Sequence, residues 1–276
     1  DTGTEIVRCR ARGKLRKLGI TPLVGDTAMF QPSGDSGYLH EILPRKNSFV
    51  RPAVANVDQA LVIFAICKPQ PNFNLLDRFL IMMQQQDIPC IICFNKQDID
   101  AEGKKEDYRS IYEQAGFQTI TVSAREKEGI DRLKDLLRGK TTTVAGPSGV
   151  GKSSLVNCLQ SGIVMETGSI SEKIERGKHT TRHSELISIA PDTYILDTPG
   201  FTALEPEAME KEELRFCFPE FDPYEGSCKF QGCIHDREPG CAVKEAVEDG
   251  KISKERYESY ISFFRELKER ERRRYS

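Results

Sequence analysis

The octapeptide Gly146-Pro147-Ser148-Gly149-Val150-Gly151-Lys152-Ser153 constrains this chain more than any other stretch. It has the G-x-x-x-x-G-K-S pattern of a phosphate-binding loop, and its flanks suit that role. The β-branched run Thr141-Thr142-Thr143-Val144-Ala145 reads as the strand before it, and Ser154-Leu155-Val156-Asn157-Cys158-Leu159 as the helix after it. In such a unit the glycines let the backbone fold back so that its N–H groups face phosphate oxygens at a helix N-terminus. Lys152 is then placed to reach the β- and γ-phosphates, and the Ser153 hydroxyl to ligate Mg²⁺, with Ser154 beside it in the first turn. A Gly-rich strand-to-helix turn without a ligand is the weaker reading, because strand, loop and helix occur together.

A second signal stands upstream. Ile88-Pro89-Cys90-Ile91-Ile92-Cys93-Phe94 reads as a buried strand and runs into Asn95-Lys96-Gln97-Asp98, an N-K-x-D tetrad. A carboxylate there can accept from N1–H and the exocyclic amine of guanine, whereas adenine has no such amine and an acceptor at N1. Asn95 is expected to tie the loop together and the Lys96 stem to lie over the base. Downstream, Ser123-Ala124-Arg125 follows a strand at 118–122, and the Ala124 amide is expected to contact guanine O6. Cys90 and Cys93, three apart on a strand, point to opposite faces and read as core residues, not a shared ligand pair.

Beyond the phosphate loop, residues 162–183 are long, polar and poorly periodic, as functional segments often are. Arg176-Gly177-Lys178-His179-Thr180-Thr181 reads as a first switch whose threonine, Thr181 or Thr180, would ligate Mg²⁺ when a γ-phosphate is present. A hairpin around Pro191-Asp192 then leads to Asp197-Thr198-Pro199-Gly200, which supplies an Asp for the Mg²⁺ shell and the Gly200 amide for the γ-phosphate. These are the elements of a GTPase in permuted order, since the guanine-reading loops precede the phosphate loop. Helix 129–137 and Arg138-Gly139-Lys140 feed directly into strand 141–145, which makes the permutation physically easy. The water-orienting Gln expected after D-x-x-G is replaced by Phe201, so intrinsic turnover should be slow. His179 is the candidate replacement, with a plain switch-loop role as its equal alternative; His183 is weaker.

Around this core the chain reads as two further modules. In residues 1–57, Val7, Cys9 and Ala11 alternate with Arg8, Arg10 and Arg12, Lys14, Arg16 and Lys17 sit in a turn, and Gly34-Asp35-Ser36-Gly37 forms a hairpin tip. Several short strands in so few residues fit a small barrel such as an OB-fold. Its basic face could track a phosphate backbone or simply be solvated. Pro44 to Pro52 reads as a basic linker. At the other end, Cys228, Cys233, His235 and Cys241 offer three thiolates and an imidazole, a closed tetrahedral set for a structural Zn²⁺. Residues 246–275 read as a helix with Tyr257, Tyr260, Ile261, Phe264 and Leu267 as its packing stripe. Its charged end either touches RNA or is a solvated helix end.

Bulk properties agree. The 276 residues allow two or three domains, the net charge of −2 confines any nucleic-acid surface to local patches, and no apolar run reaches membrane-spanning length. No signal-peptide pattern opens the sequence. Nine cysteines, unevenly placed beside a nucleotide loop, indicate metal binding in a reducing cytoplasm rather than disulfides.

Three stretches together resemble one family: Pro44-Arg45-Lys46-Asn47 through Arg51-Pro52-x-x-Ala55-Asn56-Val57-Asp58-Gln59, the phosphate loop, and Gly177-Lys178-His179-Thr180-Thr181. The chain is similar along essentially its whole length to RsgA-type circularly permuted GTPases. The resemblance implies an N-terminal OB-fold (1–57), a central α/β P-loop GTPase domain (58–204) and a small, mostly helical zinc domain (205–276). It also implies GTP/GDP, Mg²⁺ and one Zn²⁺ as ligands, favours a catalytic His179, and points to late assembly of the small ribosomal subunit through its 16S rRNA, with stimulation by that subunit. The alternative is a GTP-dependent RNA-binding switch acting on another RNA or a protein. Nothing in the sequence calls for more than a monomer, or for a membrane.

Overall fold

A computed structural model of the chain describes residues 2, 5–49, 53–160, 184–197 and 209–274. The chain divides into two units, one drawn from Asp1–Ala60, Ile130–Ala145 and Ser153–Ala203, the other from Leu61–Gly129, Gly146–Lys152 and Leu204–Ser276.

In the first unit, β1 (Arg8–Ala11) pairs parallel with β3 (Ser36–Ile42), which pairs antiparallel with β2 (Ala28–Ser33). The expected alternation holds, with Arg8 and Arg10 exposed and Cys9 and Ala11 half-buried. Ser33 pairs with Ser36, so Gly34-Asp35 is a two-residue hairpin turn. Lys14 and Lys17 lie in a short helix, α1 (Gly13–Lys17), where a turn was expected, because Leu15 at 2% exposure anchors it to the core.

Of the expected linker at 44–52, residues 44–49 are described, and they are built structure. Arg45 forks onto both oxygens of Asp26 at 2.7 and 2.8 Å. The Asn47 side chain donates to Val57 O (2.7 Å) and accepts from Val57 N (2.9 Å), and Asn56 accepts from Lys46 N and donates to Gly25 O. These amide latches hold β4 (Ser48–Phe49) against β5 (Val54–Ala55). Among the described residues the strands of this region form one three-stranded sheet and one two-stranded pair.

The same unit holds the strand that leads into the phosphate loop. β6 (Gln59–Ala65) begins here, β9 (Thr141–Ala145) pairs parallel with β11 (Thr193–Asp197), and β11 pairs antiparallel with β10 (Glu185–Ala190). Asp58 accepts the Thr141 amide on its carboxylate at 2.9 Å, while buried Gln59 donates to Thr142 Oγ1 and accepts from Lys140 Nζ. The Arg138–Lys140 turn is closed by a bond from Gly139 N to Thr193 Oγ1 at 3.0 Å. It joins β9 to α4 (Ile130–Leu137), whose Ile130, Leu133 and Leu137 are buried at helical spacing.

In the second unit the strands run in the order β6, β7 (Cys90–Asn95), β8 (Gln118–Thr121), with β7 and β8 parallel. Every residue of β6 is buried, as the apolar run from Ala60 onward predicts. Cys93 is fully buried, whereas Cys90, expected in the core, is half-buried. Two helices flank these strands: α2 (Phe73–Gln84), capped by Asn72 Oδ1 on Leu75 N at 3.0 Å, and α3 (Lys104–Gln114). The latter starts at Lys104 because the Asp100 carboxylate accepts the amides of Lys104 and Lys105.

The C-terminal part has two helices where one was expected. α6 (Ala242–Glu248) ends at Gly250, whose φ is +72°, and α7 (Lys254–Arg274) follows. Phe218, Phe221, Tyr260 and Phe264 form its core, joined by Ile81 of α2. At its centre Arg256, 1% exposed, donates to Asp77 Oδ1 at 2.7 Å and forks onto Glu220 at 2.7 and 3.1 Å. Burial opposes its charge, yet Asp77 and Glu220 more than offset this and hold the guanidinium above its ordinary pKa. Among the described residues no helix is long and apolar enough to cross a membrane.

Candidate nucleotide site and metal centre

One side chain joins the three loops of the second unit. Asn95, the last residue of β7, is 2% exposed. Its Nδ2 donates to Val150 O in the phosphate loop at 2.9 Å, and its Oδ1 accepts the Ala124 amide at 3.1 Å. Gly151 makes this approach possible: its φ is +93°, and a Cβ there would stand 2.5 Å from Asn95 Nδ2. Gly146 serves the other end of the loop, since at φ +141° any Cβ would collide with the Ile63 carbonyl of β6.

Lys96 adds a second strap. Its backbone is left-handed at φ +68°, and its Nζ donates to Lys68 O (2.5 Å) and Gly149 O (2.7 Å). The alkyl stem therefore spans from the N-K-x-D turn to the phosphate loop. Asp98 is exposed, and its Oδ1 accepts from the buried Ser123 hydroxyl at 2.7 Å. The same Ser123 oxygen accepts the Glu126 amide at 3.0 Å, so the loop after β8 fixes the carboxylate's direction. The Ala124 amide, expected on guanine O6, is the one that donates to Asn95.

The phosphate loop closes on its own lysine, whose Nζ donates to Gly146 O at 2.8 Å and Pro147 O at 2.6 Å. Val150 is fully buried and pins the loop, while Ser148 and Gly149 are exposed and Pro147 is half-buried. Ser153 and Ser154 lie exposed in the first turn of α5 (Lys152–Gln160), where backbone N–H groups lack helical partners. Asp197 ends β11 and is exposed. His179, Thr180, Thr181, His183, Gly200 and Phe201 lie outside the described residues.

The four expected metal ligands converge. The ligand atoms of Cys228, Cys233, His235 and Cys241 all lie within 4.8 Å of one another, with His235 Nδ1 3.3 Å from Cys241 Sγ and 3.7 Å from Cys228 Sγ. Such separations suit a tetrahedral ion bonded at about 2.0–2.3 Å to nitrogen and sulfur. Three of the four are buried. Burial pushes the Cys233 thiol up to about 12 and that of Cys241 up as well, so a cation is what would hold them as thiolates here. Burial lowers the His235 pKa against the pull of Glu225, which keeps the imidazole neutral, as a ligand must be.

Glu225 is the part of this centre that sequence reading missed. Its Oε1 lies 3.3 Å from His235 Nε2, which fixes the ring and leaves Nδ1 for the ion. Three residues before Cys228, it has no spacing signature. Asp77 had one: a lone acid among the apolar positions Leu76, Phe79, Leu80 and Met83 of α2.

Comparison with known proteins agrees with this arrangement. A family model described as RsgA GTPase matches residues 42–207, and one described as RsgA N-terminal domain matches residues 1–39. The small ribosomal subunit biogenesis GTPase RsgA of Agathobacter rectalis is 56% identical over 98% of this chain and 91% of its own length. That of Caldanaerobacter subterraneus subsp. tengcongensis is 49% identical over 98% and 92%. Among solved structures, YloQ, a circularly permuted GTPase, has a TM-score of 0.77 at 39% identity, covering 96% of this chain and 88% of that one. YjeQ from Thermotoga maritima has a TM-score of 0.78 at 36% identity, covering 94% and 89%.

Proposed function

The chain belongs to the RsgA GTPase family, and on that premise we propose that it hydrolyses GTP to GDP and phosphate during late maturation of the small ribosomal subunit. Its order of parts is that of a circularly permuted GTPase, with an OB-type barrel in 1–57, the GTPase domain in 58–204 and a zinc domain in 205–276. It works as a cytoplasmic monomer that contacts 16S rRNA within the subunit and turns over faster when bound there.

The observation that carries this reading is Asn95, whose amide holds the phosphate loop with one end and the 123–124 loop with the other. That single latch ties the loop we assign to the phosphates to the loop we assign to the guanine. Asp98, directed by Ser123, accepts from N1–H and the 2-amine of the base; the Lys96 stem covers it, and the Ala124 amide is shared between Asn95 and O6. Amides of Gly146–Ser153 take the phosphates, and Lys152 exchanges its two carbonyl partners for phosphate oxygens. Ser153, Thr181 and Asp197 would hold Mg²⁺, which would supply charge neutralisation at the phosphates. The Gly200 amide meets the γ-phosphate, and His179 orients the attacking water. Cys228, Cys233, His235 and Cys241 hold one structural Zn²⁺.

The test is GTP turnover with and without purified small subunits, for the native chain and His179→Ala. Stimulation in the native chain and its loss in the variant are expected. An unchanged rate with subunits, or stimulation by tRNA or a free protein instead, overturns the ribosomal assignment.

A further inference from the structure

The loop that carries His235 is held by side chains rather than by a strand or a helix. His235 itself stands in the left-handed region at φ +57°, which a residue with a Cβ rarely adopts. The Glu238 carboxylate accepts the amides of Ile234 at 3.1 Å and of Asp236 and Arg237 at 3.0 Å. From α7, the Tyr260 hydroxyl donates to Ile234 O at 2.8 Å and the Tyr257 hydroxyl to His235 O at 2.7 Å. One more carbonyl of this stretch, that of Cys233, is taken by Arg215.

Arg215 comes from a separate element, the 3₁₀ turn Leu214–Cys217, whose two end residues are buried in the C-terminal core. Its Nη1 donates to Cys233 O at 3.3 Å and stands 3.7 Å from Glu225 Oε2, while the other oxygen of that carboxylate faces His235. The guanidinium lies over the Phe216 ring at 4.8 Å from its centre. Its Nε is buried and has no hydrogen-bond partner among the described residues. A buried unpaired donor is a cost, and the two oxygens near Nη1 offset it.

One cation thus touches the backbone of one metal ligand and the carboxylate behind another. Three thiolates around a divalent ion leave a net negative charge, and Glu225 adds to it. Water and salt screen such charge weakly in a mostly buried centre, so a guanidinium at this distance favours the loaded state. We propose that Arg215 is a positioning residue of the metal centre, fixing Cys233 through its carbonyl and His235 through Glu225 while balancing the thiolate charge. This rests on the reading of Cys228, Cys233, His235 and Cys241 as a zinc site and adds a residue that gives the ion no ligand atom. Glu238 has a different part: it shapes the loop through amides, whereas Arg215 acts through charge.

The test compares the full chain with Arg215→Met, which keeps the stem over Phe216, and Arg215→Lys, which keeps the charge. Zinc retention against a chelator should fall about tenfold in Arg215→Met and stay within about threefold of native in Arg215→Lys. With cobalt in place of zinc, the visible ligand-field bands should shift in the methionine variant and match the native bands in the lysine variant. Combined with Glu225→Gln, Arg215→Met should lose less than the product of the two single effects, because part of its action passes through that carboxylate. Circular dichroism melting of the zinc-loaded proteins checks folding, and if Arg215→Met does not fold, neutral Arg215→Gln carries the same expectation. Native retention in the neutral variant, a lysine variant as leaky as the neutral one, unshifted cobalt bands, or fully multiplicative losses overturns the proposal. A native chain that takes up no zinc overturns the metal reading itself, and that result is seen before any variant is compared.

Discussion

Replacing Asn95 by alanine should cost the chain most of its affinity for guanine nucleotides. The side chain is 2% exposed and makes two bonds, to Val150 O at 2.9 Å and from Ala124 N at 3.1 Å. Alanine removes the donor to the Val150 carbonyl, on a fully buried residue, and the Asn95 acceptor of the Ala124 amide. Orphaning the buried Val150 carbonyl costs about 1–3 kcal/mol and removing this acceptor of the half-buried Ala124 amide about 1 kcal/mol, so the pair amounts to about 2–4 kcal/mol. The phosphate loop and the 123–124 loop can relax when empty but must be ordered around a nucleotide, so the loss falls on binding. At about 1.4 kcal/mol per decade, GDP affinity should drop about 30- to 1000-fold. Titration with a fluorescent GDP analogue measures this, with circular dichroism melting as the control for folding. Asn95→Asp sharpens the test, because it keeps an acceptor for Ala124 but turns one toward the Val150 carbonyl, and it should bind no better than alanine. If folded Asn95→Ala binds GDP within about threefold of the native chain, or Asn95→Asp binds as well as Asn, the latch is not what assembles the site.

Asp98→Asn should exchange guanine for xanthine preference, since the amide can donate to a 2-oxo group where the carboxylate accepted from a 2-amine; competition between GTP and XTP reads this, and unchanged GTP preference contradicts the role of Asp98. Glu225→Gln should weaken zinc retention about 10- to 100-fold in chelator competition while leaving the metal stoichiometry at one, because the ligands remain and only the partner of His235 changes. Arg256→Met should destabilise the chain by about 3–5 kcal/mol in urea unfolding by stranding two buried carboxylates. Adding Asp77→Asn and Glu220→Gln should recover most of that loss, and no recovery would mean that packing rather than unpaired charge sets the cost.

Much of the candidate nucleotide site was legible because its pattern is local. Gly146 and Gly151 occupy backbone conformations or approaches that no other residue tolerates, so the requirement is written at those positions. The alternation in β1 and the apolar run of β6 from Ala60 onward reported burial for the same reason: strand periodicity is a property of adjacent residues. Readings failed where a distant residue decided the outcome. Residues 44–49 looked like part of a linker until Asp26 and Val57 supplied partners for Arg45 and Asn47. Lys14 and Lys17 read as a turn until Leu15 found a buried seat.

The amino-acid order alone determined the G-x-x-x-x-G-K-S loop, the N-K-x-D tetrad, the permuted order of the motifs and the four metal-ligand candidates, because each is a short pattern whose residues must be of one type. Only the tertiary structure decided that Asn95 is shared between two loops, that Ser123 aims Asp98, that Glu225 backs His235, and that Arg256 is caged by Asp77 and Glu220. Those pairings join residues from 10 to 179 positions apart. A hydrogen bond needs two atoms within about 3 Å, and sequence spacing carries no such distance until the chain has folded.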